Sequence, residues 1–396
     1  MLNRKMWLSI SSVLVLIGAV GIVNIFIQGE HVMGTSNYVP WGSLIAAYVF
    51  FVAISTGLTF LSSLAHVFKW GKIEVMTKRL TLASIVTLMM GFVMIGVELG
   101  SPLSLFYILI SPNLQAPIFW MGLLYGIYMA LHIVEFFFQL KEDHGKIKII
   151  SPIVLVVAIA AQGTLGAVFG MSIARGYWNE SYISIYFILL AFVSGLAFAI
   201  LMTVILTKTK TISESDKQKI LVLQPIFSKM LIGLLIVTVF FNIWKWFYSL
   251  YGNMPGKAEA ALLMVGGPLT IPYWVLEVGL VFVLPIIVLF AFKQRKQLSL
   301  TIASISMLIG FLAMRIIMVF AGQIVPLTVV QGSESTNQLR EFGILWSEWA
   351  TMGFGVGGTI LLYLIAERLF DLNVAPHKEE RRKRVNTGEG SYSLAK

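Results

Sequence analysis

The stretch GSLIAAYVFFVAISTGLTFLSSLA, at residues 42–65, runs for 24 residues without a charged side chain. A helix needs about 20 predominantly apolar residues to cross the roughly 30 Å hydrocarbon core of a bilayer, so this stretch is predicted to span a membrane. Nine others share its length and character. Together they predict an all-α integral membrane protein with ten spans, at about 8–28, 42–65, 79–99, 116–139, 150–172, 182–207, 226–251, 272–293, 299–322 and 347–369.

The composition agrees with this prediction. Hydrophobic residues make up 58% of the chain and charged residues 12%, which is too apolar for a soluble globular domain. No gap between spans is long enough to fold as a soluble domain, so residues 1–370 are predicted to form one membrane domain. Residues 371–396 are polar and charged, and are predicted to be a disordered cytoplasmic tail.

The basic residues lie almost entirely in every second gap between the spans. Cytoplasmic loops of membrane proteins carry an excess of Lys and Arg, so these gaps and both termini are predicted to face the cytoplasm, with the chain in the cell membrane. The same residues account for most of the formal net charge of +10, which suits anionic lipid headgroups and requires no nucleic-acid partner. They include Arg4 and Lys5, Lys69 to Arg79, Lys141 to Lys148, Lys208 to Lys219, Lys293 to Lys296, and Lys378 to Arg384.

The absence of cysteine limits the redox chemistry of the chain. Iron–sulfur clusters are held mainly by Cys thiolates, so none is expected here. Of five histidines, only His66 and His132 fall in or near a span. A b-type haem would need two facing histidines at one depth, or one His with another axial ligand. The predicted depths of His66 and His132 match poorly. Any metal centre used in electron transfer is therefore expected on another subunit.

Two pairs of similar segments indicate an internal repeat. AISTGLTF at 53–60 in span two matches AFVSGLAF at 191–198 in span six, and PIFW at 117–120 in span four matches PYW at 272–274 in span eight. Spans 2–5 and 6–9 are therefore predicted to form two tandem four-helix bundles, flanked by spans 1 and 10. Chance similarity between helices rich in small residues is the alternative.

Charged side chains within a bilayer are unfavourable and often mark a function. Four of them fall at similar outer depth around the second bundle: Lys245, Glu277, Arg315 and Glu348. Two are positive and two negative, so a structural ion-pair network is the first interpretation, because buried charges need partners. A role in transport or proton transfer is the alternative.

The first bundle has a different pattern. Glu98, at the outer end of span three, has no cation at its level within the membrane. Arg175, at the outer end of span five, could reach it. A carboxylate in apolar surroundings can exchange a proton near neutral pH. His132 and Glu135 in span four, with His66 near the cytoplasmic mouth, are predicted to form a half-channel for protons below it. Alternatively, His132 and Glu135 only join neighbouring helices.

Several segments resemble one known family. They are HVMGTSNYVPWG at 31–42, ELGSP at 98–102, SPNLQAPIFWMG at 111–122 and WSE at 346–348. With Glu135 and Arg315, they resemble the NrfD/polysulfide-reductase family of membrane subunits. The resemblance covers nearly the whole chain and favours the ten-span branch, which includes hydrogenase-2 membrane subunits and two subunits of alternative complex III.

The resemblance implies a haem-free anchor that exchanges electrons between a membrane quinone and an iron–sulfur subunit on the outer face. The quinone is menaquinone or a similar one. That partner usually relays electrons to a catalytic, often molybdopterin, subunit. The family's quinone pocket lies in the outer part of the first bundle, which by matching position implicates Trp41, Tyr48, Glu98, Gln162 and Thr164. Several relatives carry a His in span five where this chain has Ala161, so another donor is required here.

Two functions remain open from the sequence. The first is the quinone-linked electron-transfer subunit, possessing no catalytic centre beyond its quinone site, with proton translocation through His66, His132 and Glu135 as an additional hypothesis. The second is a secondary transporter or ion-translocating subunit without a quinone site, which the repeat and the intramembrane charges also fit. The extent of the family resemblance favours the first.

Overall fold

The structure is a computed structural model that describes residues 4–103, 107–209, 212–252, 254, 256–291, 297–326 and 339–373. Most of the predicted tail, from 374 onward, lies outside these residues. All long elements of the described part are helices, and ten of them are long and apolar enough to cross a membrane. The prediction of a ten-span all-α membrane protein is confirmed. We call the side that carries both ends of the membrane domain inner, and the opposite side outer.

The ten membrane helices follow the predicted order. They are α1 (Arg4–Gln28), α2 (Ser43–His66), α3 (Thr77–Glu98), α4 (Pro117–Leu140), α5 (His144–Gly170), α6 (Ile183–Lys208), α7 (Glu214–Tyr251), α8 (Pro272–Ala291), α9 (Gln297–Ile324) and α10 (Trp346–Leu369).

Two helices depart most from the predicted form. Helix α7 begins at Glu214, well before the predicted start near 226, because Ser213 caps it by accepting a hydrogen bond from the Asp216 N–H at 3.2 Å. Its first turns, from Glu214 to Lys219, are polar. Helix α8 has the wider π-type hydrogen bonding over Pro272–Val283 before it continues as an α-helix. A short outer helix, Lys257–Gly266, joins α7 to α8.

Each predicted bundle is visible in the helix packing. In the first bundle, α2 packs on α3, α3 on α4, α4 on α5 and α5 on α2, which closes a ring. In the second, α6 packs on α7 and on α9, and α9 packs on α8. Helices α1 and α10 pack on each other, and α10 also packs on α2 and α3. The flanking pair therefore belongs to the first bundle.

The bundles meet where the two copies of the repeat coincide. A Cβ on Gly57 of α2 would overlap the Ala191 backbone oxygen and lie 2.8 Å from Cα of Gly195 on α6. Only glycine at both positions allows the backbones to approach this closely. The two glycines occupy matching places in the repeat. The repeat matches α2 with α6 and α5 with α9, so the α2–α9 and α5–α6 contacts also correspond to each other.

Candidate functional site

Glu98 ends α3 and lies at the N-terminus of α2. Its Oε1 accepts a hydrogen bond from the N–H of Gly42, the residue that precedes α2, at 2.6 Å. The partial positive charge of a helix N-terminus stabilises a carboxylate in this position. Its Oε2 is buried and has no well-formed hydrogen bond among the described residues. The Gly42 N–H thus holds Oε1, the Leu44 backbone also stabilises the carboxylate, and Oε2 is buried without a side-chain partner among the described residues.

Gly42 is required for this contact. A Cβ at Gly42 would lie 2.8 Å from Oε1 of Glu98 and 2.8 Å from Cγ2 of Thr35. A larger residue would displace the carboxylate from the helix end. The glycine in the PWG segment therefore has a direct physical link to the position of Glu98.

Glu348 lies at the same helix end, away from the second bundle. It is fully buried, and its Oε1 accepts hydrogen bonds from the Ser43 hydroxyl at 2.6 Å and the Ser43 N–H at 3.3 Å. Its Oε2 accepts from the N–H groups of Gly34 at 2.8 Å and Leu345 at 2.9 Å. Glu348 joins the start of α10, the start of α2 and the loop between α1 and α2. The sequence-based grouping with Lys245, Glu277 and Arg315 does not describe its position, because α10 packs on the first bundle.

An aromatic layer lies next to Gly42. The Trp41 ring stacks on Trp178, with centroids 4.8 Å apart, and meets Phe169 edge-on at 5.2 Å. The Gln323 side chain accepts from the Trp41 N–H and donates to the Trp41 carbonyl, both at 2.9 Å. Trp41 is therefore fixed in the chain directly before Gly42, whose N–H binds the Glu98 carboxylate.

The other residues implied by the resemblance lie elsewhere. Tyr48 is buried lower on α2, with its ring 6.2 Å from that of Tyr125. Gln162 is fully buried: its Oε1 accepts from the Tyr125 hydroxyl at 2.8 Å, and its Nε2 donates to the Phe187 carbonyl at 3.2 Å. The Thr164 hydroxyl donates to the Ala160 carbonyl of its own helix at 2.7 Å. Of the five, Trp41 and Glu98 share the N-terminus of α2, where Gly42 links them.

Arg175 lies on the outer side without reaching Glu98. Its guanidinium donates to the carbonyls of Gln323 and Tyr38, each at 3.4 Å. Partial burial lowers the pKa of Arg175 from its ordinary value. The Arg175 cation thus joins the outer loops and does not pair with Glu98.

His132 and Glu135 form a buried pair in the first bundle. The His132 Nδ1 lies 2.9 Å from Oε2 of Glu135, and both side chains are almost completely buried. The Ser151 hydroxyl of α5 donates to the other Glu135 oxygen at 2.5 Å. The pair therefore does connect neighbouring helices, but it also continues into a longer chain of polar groups.

That chain runs toward the membrane centre. The His132 Nε2 lies 3.2 Å from the hydroxyl of Thr59, which is 2.5 Å from the hydroxyl of Tyr128. The Tyr128 hydroxyl is 3.1 Å from that of Ser55 and 3.0 Å from that of Ser84. Each of these groups can both accept and donate a proton, so their arrangement allows proton transfer along the bundle axis.

His66 extends the chain toward the inner side. It ends α2, and its Nε2 is buried without a hydrogen-bond partner among the described residues. Glu135 and Glu74 are both close enough to interact with it electrostatically. The three residues predicted for a proton path thus follow one another from the inner end of α2 into the bundle.

The sequence reasoning missed the hydroxyl groups. Tyr125, Tyr128, His132 and Glu135 recur at spacings of three and four on α4, which places them on one helix face. Ser55 and Thr59 of α2 have the same spacing. A polar stripe within an apolar span is readable from the sequence, and it would have identified these partners.

The second bundle brings three predicted charges together. Glu277 lies within electrostatic range of Lys245 and Arg315 and close to the Asn242 side chain. The Arg315 guanidinium lies 4.5 Å from the centre of the Phe187 ring, and the Lys245 ammonium 4.6 Å from that of Tyr177. Their cations thus contact aromatic faces in addition to facing the carboxylate.

Metal ligands are not grouped in the described residues. Within 4–103, 107–209 and the later described ranges, no three or more His, Asp or Glu side chains lie close enough to hold a metal ion. The His132 ring nitrogens are both within hydrogen-bond distance of protein groups.

Comparison with known proteins gives consistent matches. The family model described as "Polysulphide reductase, NrfD" matches residues 31–327. The C subunit of the selenate reductase of Mesobacillus selenatarsenatis is 22% identical over 92% of this chain and 94% of its own length. An Hdr-like menaquinol oxidoreductase integral membrane subunit of Archaeoglobus fulgidus is 23% identical over 87% and 88%. A putative dimethyl sulfoxide reductase membrane subunit of Halobacterium salinarum is 23% identical over 88% and 83%.

Proposed function

The chain belongs to the NrfD polysulphide reductase family, and from this we propose that it is the quinone-linked membrane subunit of a respiratory oxidoreductase complex in the cell membrane. It exchanges electrons between membrane quinone, such as menaquinone, and an iron–sulfur subunit on the outer side. A catalytic subunit, of the molybdopterin type, completes the complex. The names of the similar proteins, which include a menaquinol oxidoreductase membrane subunit and two reductase subunits, support this proposal.

The observation that carries the proposal is the buried Glu98 carboxylate, which only backbone N–H groups hold and no cation of the described residues pairs with. Oxidation of a quinol to a quinone releases two electrons and two protons. The Glu98 carboxylate accepts one proton through Oε2 while Gly42 continues to hold Oε1, and it passes that proton to water on the outer side before it accepts the second. The electrons leave to the iron–sulfur subunit, which takes them up at the outer surface near the end of α3. In quinone reduction the electrons flow in the opposite direction, and Glu98 gives its proton to the quinone and is protonated again between the two transfers.

Trp41 and Glu98 supply different parts of the binding site. The Trp41 ring, fixed by Trp178 and Gln323, provides an apolar wall beside the carboxylate. Exposed apolar side chains at Leu99 and Leu103 follow α3 and border the lipid. A lipophilic quinone then reaches Glu98 laterally from the outer leaflet, with its tail among the acyl chains.

Proton translocation is a second part of the proposal. The path from His66 through Glu135 and His132 to Thr59 and Tyr128 would carry protons between the inner side and the membrane centre. Tyr48 and Tyr125 lie between this path and the outer site. Protons taken from the inner side for quinone reduction on the outer side would make turnover electrogenic.

The alternative function is an ion-translocating or transporting subunit without a quinone site. The observation that favours it is the group of Lys245, Glu277 and Arg315 buried in the second bundle. It predicts ion or substrate flux by the chain alone in liposomes. Flux without redox partners would support this alternative, whereas its absence together with quinone binding supports the first proposal.

Quinone binding to the purified full chain tests the proposed site. A short-chain naphthoquinone titrated into nanodiscs should quench tryptophan fluorescence saturably. Gly42→Ala should weaken binding by about tenfold, because its new methyl would displace the Glu98 carboxylate. Gly126→Ala is the matched control, since nothing lies within 4 Å of its new Cβ. Non-saturable quenching, or equal binding by both variants, would contradict the proposed site.

A further inference from the structure

A large apolar crevice lies between the two bundles on the inner side. It has a volume of about 850 Å³ and is bordered by α1 and α10 on one side, by α6 and α9 on the other, and by α2 and α3 at its floor. Apolar side chains line its body, among them Phe51, Ile54, Leu201, Ile305 and Val356. Glu98 does not line the crevice, which the proposed quinone chemistry does not use.

The length of the crevice matches one leaflet of a bilayer. Its lining on α10 extends from Glu367 at the inner end to Val356 near mid-helix. Eleven residues at 1.5 Å per residue make about 16 Å. One leaflet contributes about 15 Å of hydrocarbon, half of the roughly 30 Å core. The crevice is therefore as deep as an acyl chain of the inner leaflet is long.

The inner end of the crevice carries positive charge. Arg4 and Lys208 line it from α1 and α6. The nearby Glu367 carboxylate is already paired with Arg79, at 2.6 Å. These four groups sum to a charge of +2, three cations minus one anion. A basic mouth between membrane helices suits an acidic lipid headgroup.

A hydrogen-bond donor is also unused there. Trp7 lines the crevice, and its buried indole N–H has no partner among the described residues. Buried N–H groups are normally paired, so this donor is available to a ligand oxygen. Trp side chains commonly lie at the level of lipid headgroups, with the ring in the apolar region and the N–H toward polar groups.

We propose that the crevice binds one phospholipid with an acidic headgroup from the inner leaflet, its phosphate near Arg4, Lys208 and the Trp7 indole and its acyl chains between α6, α9 and α10. Such a lipid fills the space between the flanking helices and the second bundle. It acts as a structural ligand that joins the two parts of the membrane domain.

Lipid analysis of the purified full chain tests this proposal. Washed in mild detergent, the wild type should retain about one phosphatidylglycerol per chain in preference to phosphatidylethanolamine. Lys208→Gln should retain it about fivefold more weakly, and Arg4→Gln with Lys208→Gln about 25-fold, since each basic residue near a headgroup contributes about 1 kcal/mol. Lys217→Gln, a basic residue that does not line the crevice, should retain it like the wild type.

A second pair of variants tests the acyl part of the site. Val356 lines the crevice and is 42% exposed, whereas Val237 is 43% exposed and does not line it. Val356→Trp should expel the lipid while Val237→Trp should not, and both should remain folded because neither side chain is in the core. Equal lipid retention by all variants, a preference for neutral lipid, or quinone released by Val356→Trp in place of lipid would overturn the proposal.

Discussion

Replacing Glu98 by Gln separates a capping role from a proton-transfer role, because the first affects stability and the second affects turnover. In the wild type, the Gly42 N–H donates a charge-assisted hydrogen bond of 2.6 Å to the Glu98 carboxylate. Gln retains an oxygen that can accept a hydrogen bond from the same N–H. The loss of the carboxylate charge at the α2 N-terminus should lower the free energy of unfolding by about 0.3–1 kcal/mol. Weakening of the hydrogen bond adds about 1 kcal/mol. The protein should therefore assemble with a small decrease in thermal stability.

The effect on turnover should be much larger. A positioned general base contributes about 10²–10⁴-fold to a rate, and the amide that replaces the carboxylate in this variant cannot take a proton from the quinol. Quinol oxidation by the intact complex should fall at least about 100-fold, mainly in kcat. Glu98→Asp, which keeps the carboxylate on a shorter side chain, should restore part of the rate.

Glu348→Gln is the matched control, because Glu348 caps the same helix end. Its four hydrogen bonds to Ser43, Gly34 and Leu345 all require acceptor oxygens. The amide would face some of these donors with its own N–H groups, and stability should fall by about 1–3 kcal/mol. Turnover per folded complex should stay within about threefold. The reasoning is refuted if Glu98→Gln retains more than half of the wild-type turnover, or if both variants lose turnover equally.

Three further predictions concern other parts of the chain. Gly57→Ala should lower the free energy of unfolding by about 1–3 kcal/mol, because its Cβ would overlap the Ala191 carbonyl. The control Gly233→Ala, whose Cβ meets open space, should leave the stability unchanged. Equal melting temperatures of the two variants would contradict the α2–α6 contact. His132→Gln should at least halve the membrane potential generated per quinone turnover in proteoliposomes, since it removes the link between Glu135 and Thr59; an unchanged potential excludes this proton path. Arg315→Met should lower thermal stability while turnover per folded complex stays within about twofold, because the cation holds helices together by facing Glu277; lost turnover at unchanged stability would instead favour an ion-translocating second bundle.

Hydropathy made the ten spans predictable. It also explains why some helix ends could not be predicted. The bilayer requires a continuous apolar segment, which the sequence of α2 displays directly. The first turns of α7 are polar and carry no such signal, so only the Ser213 cap indicates its start. The repeat was readable because Gly57 and Gly195 share one packing requirement.

The candidate site was predictable only in part. Depth and charge brought His66, His132 and Glu135 into one group, as the structure does. They did not reveal which bundle α10 packs on, and Glu348 was therefore grouped with the second bundle. Depth also could not reveal that Gln162 is occupied by Tyr125 and Phe187. Such assignments depend on helix rotation and packing, which no single span encodes.

The most direct measurement is the position of a bound quinone in the intact complex. A photoreactive menaquinone analogue, activated after binding and followed by mapping of the labelled residues, reports the location of the headgroup. Labelling is expected at the outer ends of α2 and α3, around Trp41 and Glu98, and should be abolished by excess unlabelled quinone. Specific labelling confined to the second bundle or to the inner crevice would contradict a quinone site at Glu98.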